Sequence, residues 1–317
     1  MNRYPRTLQE FEEDFRTEAA CADYLWRLRW PEGFRCLQCG HRIAWKASGG
    51  RLVCQRCRHV IRMTAGTIFQ DSHLPLRTWF RAIWWITNQK TGMNALGLQR
   101  ALGLGSYETA WACLHKLRRA MVRPGRERLT GRVEVDEIQV GGVEQGSGRG
   151  RHLGHKALVG VAAEARGRGM GRIRLCRVAD DSAESLEGFV EQTVEPGTAV
   201  ITDGFRSYSR LDQRGYRHQP RVVSGSGRTA SSLLPRVHRV AALLKRWLLG
   251  VHQGGTSRRH LDAYLDEFTF RFNRRTSRHR GKLFFRLLEQ AVQIGPTPYR
   301  NLVKRPKRRS DHHILRR

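Results

Sequence analysis

Two pairs of cysteines constrain this chain before anything else does. Cys36 and Cys39 stand two residues apart, as do Cys54 and Cys57, and fourteen residues separate the pairs. Each pair can grip one ion from a tight turn, and four thiolates complete a tetrahedron, so the spacing predicts a structural Zn²⁺ ribbon over residues 34–62. Metal binding then supplies folding energy to a segment with little core of its own. Gly40 relieves the first turn. Four unrelated core cysteines would not repeat this spacing, and the redox role that a lone pair suggests is disfavoured by the second pair. His41 and His59 lie close by, but four thiolates already fill the shell, so both read as bystanders. Cys21, Cys113 and Cys176 sit among apolar neighbours and read as small core residues.

Charge narrows the partner. In 317 residues, 58 lysines and arginines face 28 acids, a formal net charge of +30. Hydrophobic residues make up 39% of the chain, enough for real cores, so the charge does not mean disorder. Such a chain gains free energy by releasing counterions from a polyanion, and DNA or RNA is the expected partner. Arginines 35, 42, 51, 56, 58 and 62 decorate the cysteine segment and suit phosphate contact. The longest apolar runs are under ten residues, so no membrane span is expected, and the first fifteen residues lack the apolar run of a signal peptide.

The pattern divides the chain into five parts. Residues 1–33 form a helical lead-in, with Leu8, Phe11 and Phe15 on one face and Ala20, Tyr24, Leu25 and Leu28 on another. The zinc ribbon follows at 34–62. Residues 74–122 read as three helices, the last two joined by Gly103-Leu-Gly105 with Ser106 as N-cap. This resembles a helix-turn-helix, whose second helix would enter the DNA major groove with Ser106, Thr109, His115, Lys116 and Arg119 outward. An ordinary packed helical pair is the alternative. Residues 131–290 form an α/β domain, and 291–317 a basic tail. Within the α/β domain the order is three strands (Arg132–Val140, Ala157–Ala163, Arg172–Val178), a helix around Leu186–Val194, and a fourth buried strand at Ala199–Thr202. Helices follow near 235–249 and 258–275. Residues 141–154 read as a glycine- and arginine-rich loop.

Two carboxylates in this domain point to metal chemistry. Asp136 lies inside the apolar strand VEVDEIQV, where a charge is costly unless paired or metal-bound. Val133 and Val135 face opposite to Glu134 and Asp136, and the apolar parity then switches at Ile138 and Val140. The strand is therefore either bulged or covered on both faces. Asp203 ends the strand AVIT. Strands one and four are neighbours in a βββαβ sheet, so the two carboxylates can bridge a pair of Mg²⁺ or Mn²⁺ ions. On the later helix, His238 and Lys245 fall on one stripe two turns apart. His238 could bind metal or position water, and Lys245 could hold a phosphate; a plain helix histidine is the simpler account of His238. Glu184, Glu187 and Glu191 look solvated, and Glu267 reads as an ion-pair partner of Arg271.

The segments RWPEGFRCLQCGH, LPLRTWF, LGLGSYETAW, VEVDEIQVGG, GRIRL, VITDGFRSY, LPRVHRV, LKRWLLG and YLDEFTFRFNRR together resemble bacterial insertion-sequence transposases of family 1595, in the subgroup typified by Xanthomonas elements. The resemblance spans nearly the whole chain. It implies a ribonuclease-H-like mixed sheet of the DDE type, preceded by the zinc ribbon and the helix-turn-helix-like module. It gives Asp136 and Asp203 the roles of the first two metal ligands. It puts His238 at the third position, seven residues before the basic Lys245. Relatives commonly carry Glu or Asn there, and Ile138-Gln139 departs from the Thr-Tyr expected after Glu137.

The expectation is thus a DNA transposase acting on terminal inverted repeats and on target DNA, as a homo-oligomer, in the bacterial cytoplasm at the nucleoid. A metal-dependent nuclease that cuts without joining is the alternative among enzymes. A non-catalytic zinc-ribbon regulator or transposase remnant is the alternative outside them.

Overall fold

Thr7 and Thr17 open the first two helices: each side chain accepts a hydrogen bond from the N–H three residues on, at 3.1 and 3.2 Å. The computed structural model describes residues 3–47, 51–123, 125–141, 156–222, 227, 229–253 and 257–303. The expected loop, apart from residue 141, and the basic tail beyond residue 303 lie outside the described residues.

Helices α1 (Leu8–Asp14) and α2 (Glu18–Arg29) lead into a three-stranded antiparallel sheet of β1 (Ala44–Ala47), β2 (Arg51–Cys54) and β3 (Val60–Arg62). Helices α3 (Leu76–Asn88), α4 (Ala95–Leu102) and α5 (Tyr107–Ala120) follow. The α/β domain contains β4 (Arg132–Val140), β5 (Ala157–Arg166), β6 (Gly169–Val178), α6 (Ala183–Thr193), β7 (Ala199–Thr202) and β8 (Arg217–Pro220). Then come α7 (Ala230–Leu233), α8 (Pro235–His252), α9 (Leu261–Asn273), α10 (Gly281–Ala291) and α11 (Tyr299–Val303).

The five strands lie in the order β6-β5-β4-β7-β8. Strands β4, β5 and β6 pair antiparallel, and β4, β7 and β8 pair parallel. This is the expected mixed, ribonuclease-H-like sheet, with β8 as an additional edge strand. The parity switch in β4 is not a bulge, because its pairing with β5 runs without a break from Val133↔Glu164 to Val140↔Ala157. Val133 and Val135 share one core with Leu186, Phe189 and Val190 of α6. Val140, with Ile138 packed against it, joins the other core, with Val237 and Val240 of α8 and Leu265 and Phe268 of α9. The strand is covered on both faces.

A separate core unites the helical body: Phe11, Phe15, Phe80 and Trp84 meet Leu114 of α5 and Phe284 of α10. Helix α10 has no counterpart in the sequence reading. It lies within the segment 131–290 assigned to the α/β domain, yet packs chiefly on α3 of the helical body. The chain leaves that body at residue 122 and returns to it after the α/β fold is complete.

The proposed recognition helix needs correction. Gly103 adopts a left-handed conformation (φ 62°), and Ser106 caps α5, so the helix–turn–helix shape is present. His115, however, is 3% exposed rather than outward. Its ring lies 4.1 Å from Trp111 and 4.9 Å from His260, centroid to centroid, because α9 covers this face of α5. Ser106, Thr109 and Lys116 are half-buried; only Arg119 is exposed, and it donates to Thr297 Oγ1. Periodicity read on α5 alone could not register the second neighbour.

At the α5–α9 contact, Glu267 is fully buried and accepts from Arg118 Nε at 2.8 Å and Arg271 Nε at 2.9 Å. The expected Arg271 pair is present, and the helical body supplies a second arginine.

Burial holds the His115 and His252 rings neutral, pushing their pKa values from 6.5 down to about 2 and about 4. The unfolded chain therefore takes up these protons first as pH falls below 6.5, and stability drops through the window down to pH 4. His115→Phe should make the unfolding free energy less steep in pH by roughly 1.4 kcal/mol per unit, the value of one proton. Urea titrations at pH 7 and 5 measure it.

Candidate active site

Strand register sets the site. Arg132, Val133 and Glu134 of β4 lie beside Ala199, Val200 and Ile201 of β7. Continuing that parallel register puts Asp136 beside Asp203, where β7 ends. Asp136 alternates with residues of the α6 face and so belongs to the face covered by α8 and α9, while Asp203 follows the last residue of β7 at the same end of the sheet. Asp203 Oδ1 accepts from Phe205 N at 2.9 Å, a side-chain turn that fixes the carboxylate at the strand end. Gly204 has φ 82°, and a Cβ there would come within 2.8 Å of Val222, so the turn requires glycine.

His238 is delivered to Asp136 by a contact that sequence reasoning missed. Glu134, 2% exposed, accepts from the backbone N–H groups of Arg236 (2.7 Å) and Val237 (3.2 Å), and from Arg236 Nη1 (2.7 Å). These are first-turn donors of α8, whose N-cap Leu234 has no side-chain cap. The carboxylate thus caps the helix and meets the positive end of its dipole. Asp136 lies two residues along the strand and His238 one residue along the helix, and His238 Nε2 stands 3.9 Å from Asp136 Oδ2. That nitrogen is buried without a hydrogen-bond partner. The signal was present: two acids of one parity in an apolar strand, the first of which holds a helix. Lys245 is exposed further along α8.

A second missed feature lies beside these groups. Tyr208 is fully buried and donates to Glu137 Oε2 at 2.9 Å. Burial, Glu137, and then the charges of Asp136 and Asp203 raise its hydroxyl well above the ordinary tyrosine range. The negative potential of three carboxylates converges here. Glu187, expected to be solvated, is fully buried and binds Arg210 and Arg214 at 3.1 and 2.9 Å.

The four cysteines are the tighter cluster. Their sulfurs all lie within 4.8 Å of one another, with Cys36–Cys57 and Cys39–Cys54 at 3.6 Å. Zn–S bonds of about 2.3 Å put tetrahedral sulfurs about 3.8 Å apart, so the donors fit zinc. The two turns repeat one design. Cys36 N donates to His41 O and Gly40 N to Cys36 O; Cys54 N donates to His59 O and Arg58 N to Cys54 O. Gly40 and Arg58 occupy equivalent left-handed positions, φ 71° and 59°. The two histidines contribute carbonyl oxygens to these turns and are not among the clustered ligands. All six arginines named for this segment are exposed. Among the described residues no other group of three or more histidines, cysteines or acids is gathered so closely, so Asp136, Asp203 and His238 do not form so tight a cluster.

Comparison with known proteins gives these two regions a family. Residues 128–273 match the family model described as the ISXO2-like transposase domain, and residues 16–60 match that of the transposase zinc-ribbon domain; both models are of insertion-sequence family 1595. The chain is 28% identical over 277 residues to an uncharacterized protein in transposable element ISH50 of Halobacterium salinarum, an alignment covering 81% of this chain and 91% of that one. Among solved structures, a chain of the simian T-cell lymphotropic virus intasome in complex with PP2A regulatory subunit B56 gamma is 13% identical. It covers 59% of this chain and 70% of that one at a TM-score of 0.32, a likeness too slight to bear on function. The resemblance read from the motifs is met in both matched segments.

Two outcomes follow. Cys54→Ser should abolish zinc retention, measured as metal per purified chain, and lower the melting temperature. Glu134→Ala should destabilise the fold by about 3 kcal/mol, because it leaves Arg236 and two helix N–H groups without their acceptor; denaturant unfolding measures it.

Proposed function

We propose that this chain, which carries the zinc-ribbon and DDE-type domains of insertion-sequence family 1595 transposases, cuts DNA at the ends of its element and joins the freed 3′-OH to target DNA. The reading is supported by the parallel pairing of β4 and β7, whose register, extended two residues, brings Asp136 and Asp203 level, and by His238 beside Asp136. These carboxylates would hold Mg²⁺ or Mn²⁺, which when bound activates the attacking oxygen and stabilises the leaving one.

The side chains supply positioning. Asp136 and Asp203 are held rigid by their strand and turn. His238, oriented by the Glu134-capped helix, positions water or DNA at the phosphorus. Lys245, exposed on the same helix, would hold a backbone phosphate. Water attacks the phosphodiester at the element's end, the P–O3′ bond breaks, and the 3′-oxygen leaves as a hydroxyl. That hydroxyl then attacks a target phosphodiester in line, displacing its 3′-oxygen. No protein–DNA bond forms. Two ends must meet, so the working form is a homo-oligomer. The zinc ribbon and helical body recognise terminal inverted repeats; of the contacts expected on α5, exposed Arg119 is the one with ready access.

Incubation with the element's flanking ends and Mg²⁺ or Mn²⁺ tests the assignment. Asp136→Ala should lower cleavage by roughly 100-fold or more, as loss of a group stabilising transition-state charge does. Equal cleavage by both proteins refutes it. A pre-cut end with a free 3′-OH should be joined to a second duplex; cutting without joining would mark a nuclease, and DNA binding unaffected by the substitution with no metal-dependent chemistry a regulator.

A further inference from the structure

Beside the edge strand β6, the ends of α9 and α10 and the chain after α5 enclose a cleft of about 660 Å³. Six arginines line it: Arg123, Arg126, Arg172, Arg174, Arg274 and Arg286. Elsewhere the buried Arg118 is paired with the buried Glu267, and the half-buried Arg236 with the buried Glu134. Here the balance is different. Arg123 pairs with Glu127, Arg286 with Glu289 and Arg172 with Glu164. Among the described residues Arg126, Arg174 and Arg274 form no salt bridge; Asp266 acts on Arg126, and Glu164 and Glu127 on Arg174, only from further off.

Arg174 is the telling one. It is 5% exposed and makes hydrogen bonds only to the carbonyls of Ile173 and Glu127. A buried guanidinium with carbonyl partners alone keeps its full charge to be compensated. Burial, with Arg126 and Arg172 adding repulsion, pushes its pKa down to about 10; burial, with Arg286 and Arg123, does the same for Arg274. Two further polar atoms lining the cleft, Thr269 Oγ1 and Gln290 Oε1, are buried without hydrogen-bond partners, on residues 4% and 5% exposed. A hydroxyl able to donate, set among guanidinium forks, matches the oxygens of a tetrahedral anion.

We propose that this cleft binds a phosphate group, supplied by a DNA backbone running along the β6 edge. The choice of DNA rests on the proposed function; the phosphate chemistry does not. Strand β5 separates β6 from β4, and Arg174 pairs across β5 with Ala162, level with Val135. The cleft therefore grips a different stretch of backbone from the one at Asp136 and Asp203, and it ties both bodies of the protein to it, since α10 belongs to the helical body.

Arginine labelling of the unmodified protein tests this directly. Phenylglyoxal is applied without magnesium, alone, with a DNA duplex, and with inorganic phosphate at matched ionic strength, and modified sites are read by mass spectrometry. Protection of Arg126 and Arg274 by duplex is expected. Protection by inorganic phosphate but not by duplex would keep the anion site and overturn its assignment to DNA; protection by neither overturns the proposal. In parallel, duplex affinity is followed against NaCl by anisotropy. Replacing both residues (Arg126→Gln, Arg274→Gln) should flatten the log–log salt dependence by about 0.9 for each DNA phosphate no longer neutralised. An equal flattening from Arg6→Gln with Arg16→Gln, both exposed and distant in sequence from the cleft, would reduce the effect to net charge and overturn the proposal. Neither measurement needs turnover, so a protein that binds this way but does not cut fails the proposed function alone.

Discussion

The geometry of the candidate site depends on one buried carboxylate. Glu134 sits in a strand covered on both faces, where an unpaired charge would be prohibitive. It is tolerated because both oxygens are used: one by two helix N–H groups, the other by the Arg236 guanidinium. Apolar packing alone allows a helix to slide or roll by a fraction of a turn over a sheet. Hydrogen bonds to the first turn of α8 remove that freedom, so the position of His238 beside Asp136 follows from the position of Glu134. The helix needs the contact too, since Pro235 at its start brings no N–H and Leu234 offers no cap.

A second buried acid does the same work between the two bodies. Glu267 binds Arg118 of α5 and Arg271 of its own helix, and Arg271 reaches on to the carbonyls of Ile86 and Gln89 at the end of α3. Trp247 of α8 donates to Thr91 O at 2.5 Å. The helical body is thus fixed to the α/β domain by directional bonds, with the Arg118–Glu267 pair buried among them and the chain's return through α10 closing the connection. A surface on one body and a surface on the other keep a set spacing, which is what reading two stretches of one DNA duplex requires.

How much of this was legible follows from whether a signal was local. The zinc knuckles were, because a thiolate pair needs its turn within four residues. The buried strands were, because Ala157–Ala163 and Ala199–Thr202 are continuous apolar runs. The α8 stripe was, since Val237, Val240 and Leu244 recur at helical spacing. Strand β8 was not: Arg217–Pro220 is short, polar and mostly exposed, and exists because β7 offers a free edge. Helix α10 is strongly apolar, but its partners Phe11 and Phe80 lie far earlier in the chain, on α1 and α3. His115 and Glu187 failed for a shared reason. Each lies off the main apolar stripe of its helix, and each is buried by a second neighbour that one helix's periodicity cannot anticipate.

The histidine at 238 then has a physical reading. At 3.9 Å from Asp136 it is too distant for a direct hydrogen bond, and its Nε2 is buried without a partner. Neutral imidazole is a weak ligand for hard Mg²⁺ and a good partner for water, which donates to one ring nitrogen and accepts from a protonated one. Glu137, adjacent in sequence to Asp136, points toward Tyr208 on the α6 side, and its charge adds to those of Asp136 and Asp203 at the tyrosine hydroxyl.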